Sequence, residues 1–279
     1  MTWRSITVVL ILICTAWGAL YALQSFRGRR SERYEGEMQD AVDDPPDAYV
    51  EGEYAFARLR YPQFQGGFGG GRGRRGYGRR RSWGVDSNRA ERHLMQGVRR
   101  LTRLDARSVE EIVDADSDEM FNWPWLYAVE VGNWQLSDSQ ARRLREYLDR
   151  GGFLMVDDFH GEYEWQVFMA SLQRILPDRP VVALQDEEPI LHVLYDLKER
   201  FQVPGYQYVW SGLTYERQDG AVAHWRAVFD EKGRVQVAIC HNVDLGDAWQ
   251  YADDPRYPEP FSALAYRIGI NYILYSMMH

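Results

Sequence analysis

Short apolar runs alternate along this chain with stretches whose apolar residues recur every three or four positions, and that alternation predicts its elements in order. Tyr54 to Tyr61 alternates apolar residues with Arg58 and Arg60, as a strand with one wet face does, and Pro62 ends it. From Asp86 a helix is predicted, with Asp86, Ser87 or Asn88 as its cap, Leu94, Met95, Val98 and Leu101 on one face and arginines on the other. Trp125 to Val131 reads as a strand. Ser137 with Gln140 forms a capping-box pair ahead of a helix whose buried stripe is Ala141, Leu144, Tyr147 and Leu148, and Gly151 stops it. Phe153 to Val156 is wholly apolar, the mark of a central parallel strand covered on both faces. Trp165, Phe168, Met169, Leu172 and Ile175 then mark a helix before Pro177, and Val181 to Leu184 marks another extended run. His224 to Phe229 and Val235 to Cys240 flank the turn Asp230-Glu231-Lys232-Gly233, which predicts an antiparallel hairpin appended to the sheet, and an amphipathic helix closes the chain. The fold class that follows is α/β, a three-layer, mostly parallel sheet with helices on both faces and a β-hairpin near the C-terminus.

Length and composition narrow this further. A chain of 279 residues with 45% hydrophobic residues buries a full core and holds one domain once its ends are set aside. Ile6 to Leu23 is almost entirely apolar and about long enough to cross a bilayer. Ala16 and Gly18 have the spacing of a signal-peptide cleavage site. Residues 1–25 are therefore expected to be a transmembrane anchor or signal peptide, with residues 5–23 as the contact to the membrane. Residues 26–52, polar and acidic with Pro45-Pro46, are expected to be a disordered tether, and 53–279 the domain. The expected location is membrane-associated, on the exported side.

The net charge of −8 hides a division. Residues 58 to 107 hold fourteen arginines against three acids, a surplus of +11, so the remainder carries −19. Six of those arginines, Arg72, Arg74, Arg75, Arg79, Arg80 and Arg81, stand in a glycine-rich loop over residues 63–82 with Phe68 and Tyr77. Such a loop suits an anionic membrane surface or envelope polymer, and nucleic acid is the less favoured partner because no second nucleic-acid motif accompanies it. Two distant cysteines, Cys14 and Cys240, give neither a disulfide framework nor a zinc spacing.

Ligands of open α/β sheets bind outside the carboxyl ends of the strands. Two polar clusters fall at such ends: Asp157, Asp158, His160 and Glu162 after one apolar run, and His241, Asp244 and Asp247 after another. Asp157, Asp158, His160, Asp244 and Asp247 are the candidates for acid–base catalysis, and Asp158, His160, His241 and Asp247 for a divalent metal. Glu162, Trp165, His241 and Trp249 are candidate ligand contacts, Trp249 because it stands beside Asp247 in what reads as a loop. The same aspartates serve equally well as helix caps and turn formers. His192 reads as a core histidine and Cys240 as a small buried residue.

The segments Gly246-Asp247-Ala248-Trp249, Tyr257-Pro258-Glu259-Pro260 and Leu264-Ala265-Tyr266-Arg267-Ile268-Gly269-Ile270-Asn271-Tyr272, with Phe56 to Tyr61, Phe121 to Tyr127 and Gly151 to Gly161, resemble the bacterial family of domains of unknown function numbered 4159. The resemblance covers residues 53 to 279. It implies a fold similar to class I glutamine amidotransferases, a flavodoxin-like arrangement, and membrane complexes with von Willebrand-type and AAA-type ATPase partners. Amidotransferase-like enzymes place a cysteine on a sharp strand-to-helix elbow. The strand before Asp157 ends without cysteine or serine, so that activity is not expected. A non-catalytic module that binds a ligand or an envelope partner is the leading expectation. A metal-dependent or acid–base hydrolase and a scaffold acting through the arginine loop are the alternatives.

Overall fold

The computed structural model describes residues 42–62 and 83–278, all within one compact unit, Gln39–His279. The apolar segment 5–23 and the arginine loop 63–82 lie outside the described residues. No helix among the described residues is long and apolar enough to cross a membrane.

The seven strands are β1 (Ala57–Arg60), β2 (Glu111–Asp114), β3 (Trp125–Val129), β4 (Phe153–Asp157), β5 (Val181–Ala183), β6 (His224–Phe229) and β7 (Val235–His241). They form one sheet in the order β2-β1-β3-β4-β7-β6-β5, with β2, β1, β3, β4 and β7 parallel. β6 runs antiparallel to β7, and β5 antiparallel to β6. The pair β6 and β7 is thus not an appendage. β7 is a central strand docked on β4, every residue of it is buried, and only β6 and β5 extend the sheet as an antiparallel edge.

Helices α1 (Arg89–Leu101), α5 (Leu245–Gln250) and α6 (Glu259–Met277) pack on one another over one face. Helices α2 (Asp138–Asp149) and α3 (Gly161–Ile175) pack together over the other, and α4 (Tyr208–Ser211) is a single turn. The Ser137–Gln140 capping box opens α2. Because β3 and β4 are covered on both faces, all ten of their residues are buried. Alternation sends Trp125, Tyr127, Phe153 and Met155 into the core shared with α1, α5 and α6. Each such large apolar side chain contributes about 1.5–3 kcal/mol on burial.

Arg58 departs from its sequence reading. It is 0% exposed, bonded through Nε to Glu91 of α1 and through Nη1 to the carbonyls of Trp83 and Val85, both at 2.9 Å. A strand read as having a wet face is therefore internal, and its arginine pins the segment that leads into α1. Residues 42–52, assigned to the tether, contact the domain: Arg92 donates to the carbonyls of Val42 and Asp43 and pairs with Asp44.

The carboxyl ends of β3, β4 and β7, neighbours in the sheet, share a sharp turn. Glu130 (φ 55°), Asp158 (φ 50°) and Asn242 (φ 64°), the residues directly after these strands, are left-handed. Asp and Asn tolerate that region better than most residues, and such conformations cluster where a chain is bent for a purpose.

Candidate functional site

Past those strand ends five aspartates converge. Asp157 closes β4 and Asp158 follows it; Asp244 caps α5 by accepting from the Asp247 amide at 2.7 Å; Asp86 enters from the segment before α1. All five are buried, Asp86 and Asp247 at 1% exposure and Asp157 at 0%. One oxygen each of Asp86, Asp158 and Asp244 lies within 4.8 Å of the others. A second group, Asp158, His160 and Glu216, meets the same limit and shares Asp158.

Asp157 is the most constrained. Its Oδ2 accepts from Tyr127 Oη (2.9 Å), Leu245 N (2.9 Å) and Gly246 N (3.1 Å), so it caps α5 from across the sheet rather than the helix that follows it. Its Oδ1 is buried without a hydrogen-bond partner among the described residues. Burial, then the charge of Asp158, raises its pKa from 3.8 to about 7 despite those donors. Burial and mutual repulsion likewise raise Asp86, chiefly against Asp247 and Asp158, and Asp244, chiefly against Asp158 and Asp247. The Gln250 amide, oriented to satisfy both, donates to Asp86 Oδ1 (3.0 Å) and Asp247 Oδ1 (3.2 Å), while Asp86 Oδ2 has no hydrogen-bond partner among the described residues.

His160 Nε2 lies 3.0 Å from Asp158 Oδ1 and 4.0 Å from Glu216. Burial disfavours its charge, but the Asp158 hydrogen bond and the charges of Glu216, Asp158 and Glu164 outweigh that and raise its pKa. Among the described residues His160 is the one basic side chain within ion-pair distance of Asp86, Asp157, Asp158 or Asp244.

Segment 205–222 covers the cluster. A β-carbon on Gly205 would meet Asp244 Oδ2 and Gln207 Oε1 at 2.6 Å and Asp247 Oδ2 at 2.9 Å, so three oxygens surround a position only glycine leaves free. Gln202 holds this segment to Gly220 O and Asn242 O, both at 2.8 Å, and Asn242 Nδ2 donates to Val222 O.

The donor set fits a hard cation. Oxygens bound to one Mg²⁺, Mn²⁺ or Ca²⁺ at 2.0–2.6 Å stand roughly 3–5 Å apart, the range of the Asp86–Asp158–Asp244 triad. Three buried carboxylates that no arginine or lysine among the described residues approaches within ion-pair distance, with Arg58 acting on Asp86 only from farther away, either hold protons or hold a cation.

Of the residues singled out in the sequence, the structure brings Asp157, Asp158, His160, Asp244 and Asp247 together. Glu162 is outside the cluster, on the exposed start of α3, bonded to Gln166 at 3.0 Å. His241, a candidate metal ligand, is in neither group: alternation along β7 turns it to the α3 face, against Phe159 and Trp165. Trp165 joins it there. Trp249 is a correction: what reads as a loop is α5, and the indole is 0% exposed among Phe56 and Tyr127. His192 is exposed, bonded to Asp186 O and Asp196 rather than buried. Cys240 is fully buried, and burial raises its thiol pKa, which leaves it an inert core residue. Asp86 and Glu216 were missed; Asp86 reads as a helix cap, and only the fold carries it to Asp158.

The architecture and this site define an α/β protein with a buried acidic centre at the carboxyl edge of its parallel strands. The chain belongs to the family described as "Domain of unknown function (DUF4159)", whose model matches residues 56–277. No curated protein matches it.

Proposed function

We propose that this domain binds a hard divalent cation at Asp86, Asp158 and Asp244 and uses it to hold a polar ligand beneath segment 205–222. The observation that carries this reading is the triad itself: three buried carboxylates from three separate segments, within 4.8 Å of one another and with no arginine or lysine among the described residues within ion-pair distance. His160 and Glu216 stand at the side of that centre. His160, fixed by Asp158 and with Nδ1 unpartnered among the described residues, favours a second reading, metal-dependent hydrolysis with His160 moving the proton.

We also propose that the fold belongs with the flavodoxin-like and glutamine amidotransferase-like group, a reading supported by the parallel order β2-β1-β3-β4-β7 and by a site outside the carboxyl ends of those strands. Residues 5–23 tether or export the domain, and the loop with Arg72 to Arg81 attaches it to anionic envelope surfaces or membrane-complex partners. The binding reading is tested by titrating the purified chain with Mg²⁺, Mn²⁺ and Ca²⁺. It requires saturable, stoichiometric binding that Asp244→Asn weakens at least about tenfold, the loss of one charge-assisted contact. Turnover of phosphate or ester substrates that needs both the cation and His160 would select the hydrolase.

A further inference from the structure

On the opposite face of β7 stands an arginine without an ion-pair partner among the described residues. Arg226 lies at the centre of β6, paired with Ile239 of β7 on one side and Ala183 of β5 on the other. Its guanidinium is held over the Trp165 ring, 4.2 Å from the centroid, and its Nη1 lies 3.3 Å from His241 Nδ1.

That contact fixes a tautomer. Arginine only donates, so His241 Nδ1 is the acceptor and Nε2 carries the hydrogen, which it gives to Gly161 O at 3.2 Å. Burial first, then the charges of Arg226, His224 and His160, depresses the His241 pKa to about 3, so the ring stays neutral and oriented. His224 stacks on it at 5.6 Å, its own pKa lowered by burial and by Arg226.

The Nε–Nη2 edge of Arg226, two parallel donors, has no acceptor among the described residues. No carboxylate among the described residues lies within ion-pair distance. Glu162 acts on it only from farther away, and Asp219 is engaged by the Glu162 amide at 3.0 Å. Ala183, its exposed cross-strand neighbour on β5, contributes only a methyl group beside it. An oriented guanidinium with a free fork matches the planar pair of oxygens that phosphate and carboxylate present.

We propose that Arg226, Trp165, His241 and His224 form an oxyanion-binding subsite, separate from the aspartate cluster, in which the Nε–Nη2 edge of Arg226 takes two oxygens of a phosphoryl or carboxylate group. The subsite does not depend on the cation reading.

The test uses the full chain in excess chelator at constant ionic strength, titrated with inorganic phosphate and, separately, with acetate, following the His224 and Trp165 side-chain resonances. The subsite predicts a saturable shift, with the tighter of the two probes identifying the group as phosphoryl or carboxylate. Arg226→Gln should weaken it about tenfold to a hundredfold, the loss of a charged bidentate contact. Arg226→Lys should weaken it less. Ala183→Glu, which sets a carboxylate beside the fork and leaves Arg226 in place, should abolish binding and so covers the case in which Arg226→Gln misfolds. A response that never saturates, or one equal in wild type, Arg226→Gln and Ala183→Glu, overturns the proposal while leaving the cation reading untouched.

Discussion

Replacing Asp157 by asparagine should make the metal-free protein more stable, and increasingly so as pH rises from 4 to 7. The Asp157 carboxyl is 0% exposed, and its folded pKa is about 7 against 3.8. Below 3.8 it is protonated in folded and unfolded chains alike and costs nothing. Between 3.8 and about 7 the unfolded chain ionises while the folded chain does not, so wild-type stability falls as pH rises and levels off above 7. At about 1.4 kcal/mol per unit over roughly three units, the loss is about 4 kcal/mol, a large part of the 5–15 kcal/mol typical of a domain. Asparagine preserves the local bonds. Its oxygen can accept from Tyr127, Leu245 and Gly246, and its amide faces the side on which Oδ1 has no partner. Urea unfolding of both proteins in chelator, at unit steps from pH 4 to 8, should show a gap that widens by about 1.4 kcal/mol per unit and then stops widening. Parallel pH profiles would instead mean that Asp157 ionises in the fold as it does in the unfolded chain and that its burial does not raise its pKa.

Other substitutions probe the supports of the site. Arg58→Met leaves Glu91 buried and unpaired and frees the carbonyls that hold the segment before Asp86, so it should cost about 3–5 kcal/mol by chemical denaturation, with most of that restored in Arg58→Met/Glu91→Leu. Gly205→Ala places a methyl group 2.6 Å from Asp244 Oδ2, and should lower cation affinity by about 1–3 kcal/mol in calorimetry, the usual cost of overpacking. Trp249→Ala should destabilise the fold by about 3–5 kcal/mol, whereas Trp249→Phe should leave ligand affinity unchanged, since the indole is core; a selective affinity loss in Trp249→Phe would return it to the site.

Much of the layering is legible in the sequence because parallel strands must be apolar throughout: Phe153 to Val156 and the Ser137–Gln140 box announce their elements directly. The aspartates at strand ends are legible for the same reason, since a carboxylate that closes an apolar run stands at the edge of the sheet. What fails is whatever depends on neighbours. Arg58 looks wet because alternation alone cannot show that Glu91 awaits it inside. His241 and Cys240 are adjacent in sequence, but the pleat sends one to Trp165 and the other to the opposite core. Trp249 follows a turn that becomes a buried helix. Asp86 is far from Asp158 in sequence, in the segment that follows β1, and only the parallel crossover brings the two together.

The most direct test of the central claim is metal content and affinity of the chain with and without Asp158→Asn. Asparagine tolerates the left-handed backbone at this position and removes only the charge. Wild type should hold one hard cation per chain, bound more tightly as pH rises because binding displaces protons from the raised carboxyls, and the folded variant should retain none. Absence of stoichiometric binding by wild type, or equal binding by both proteins, would contradict it.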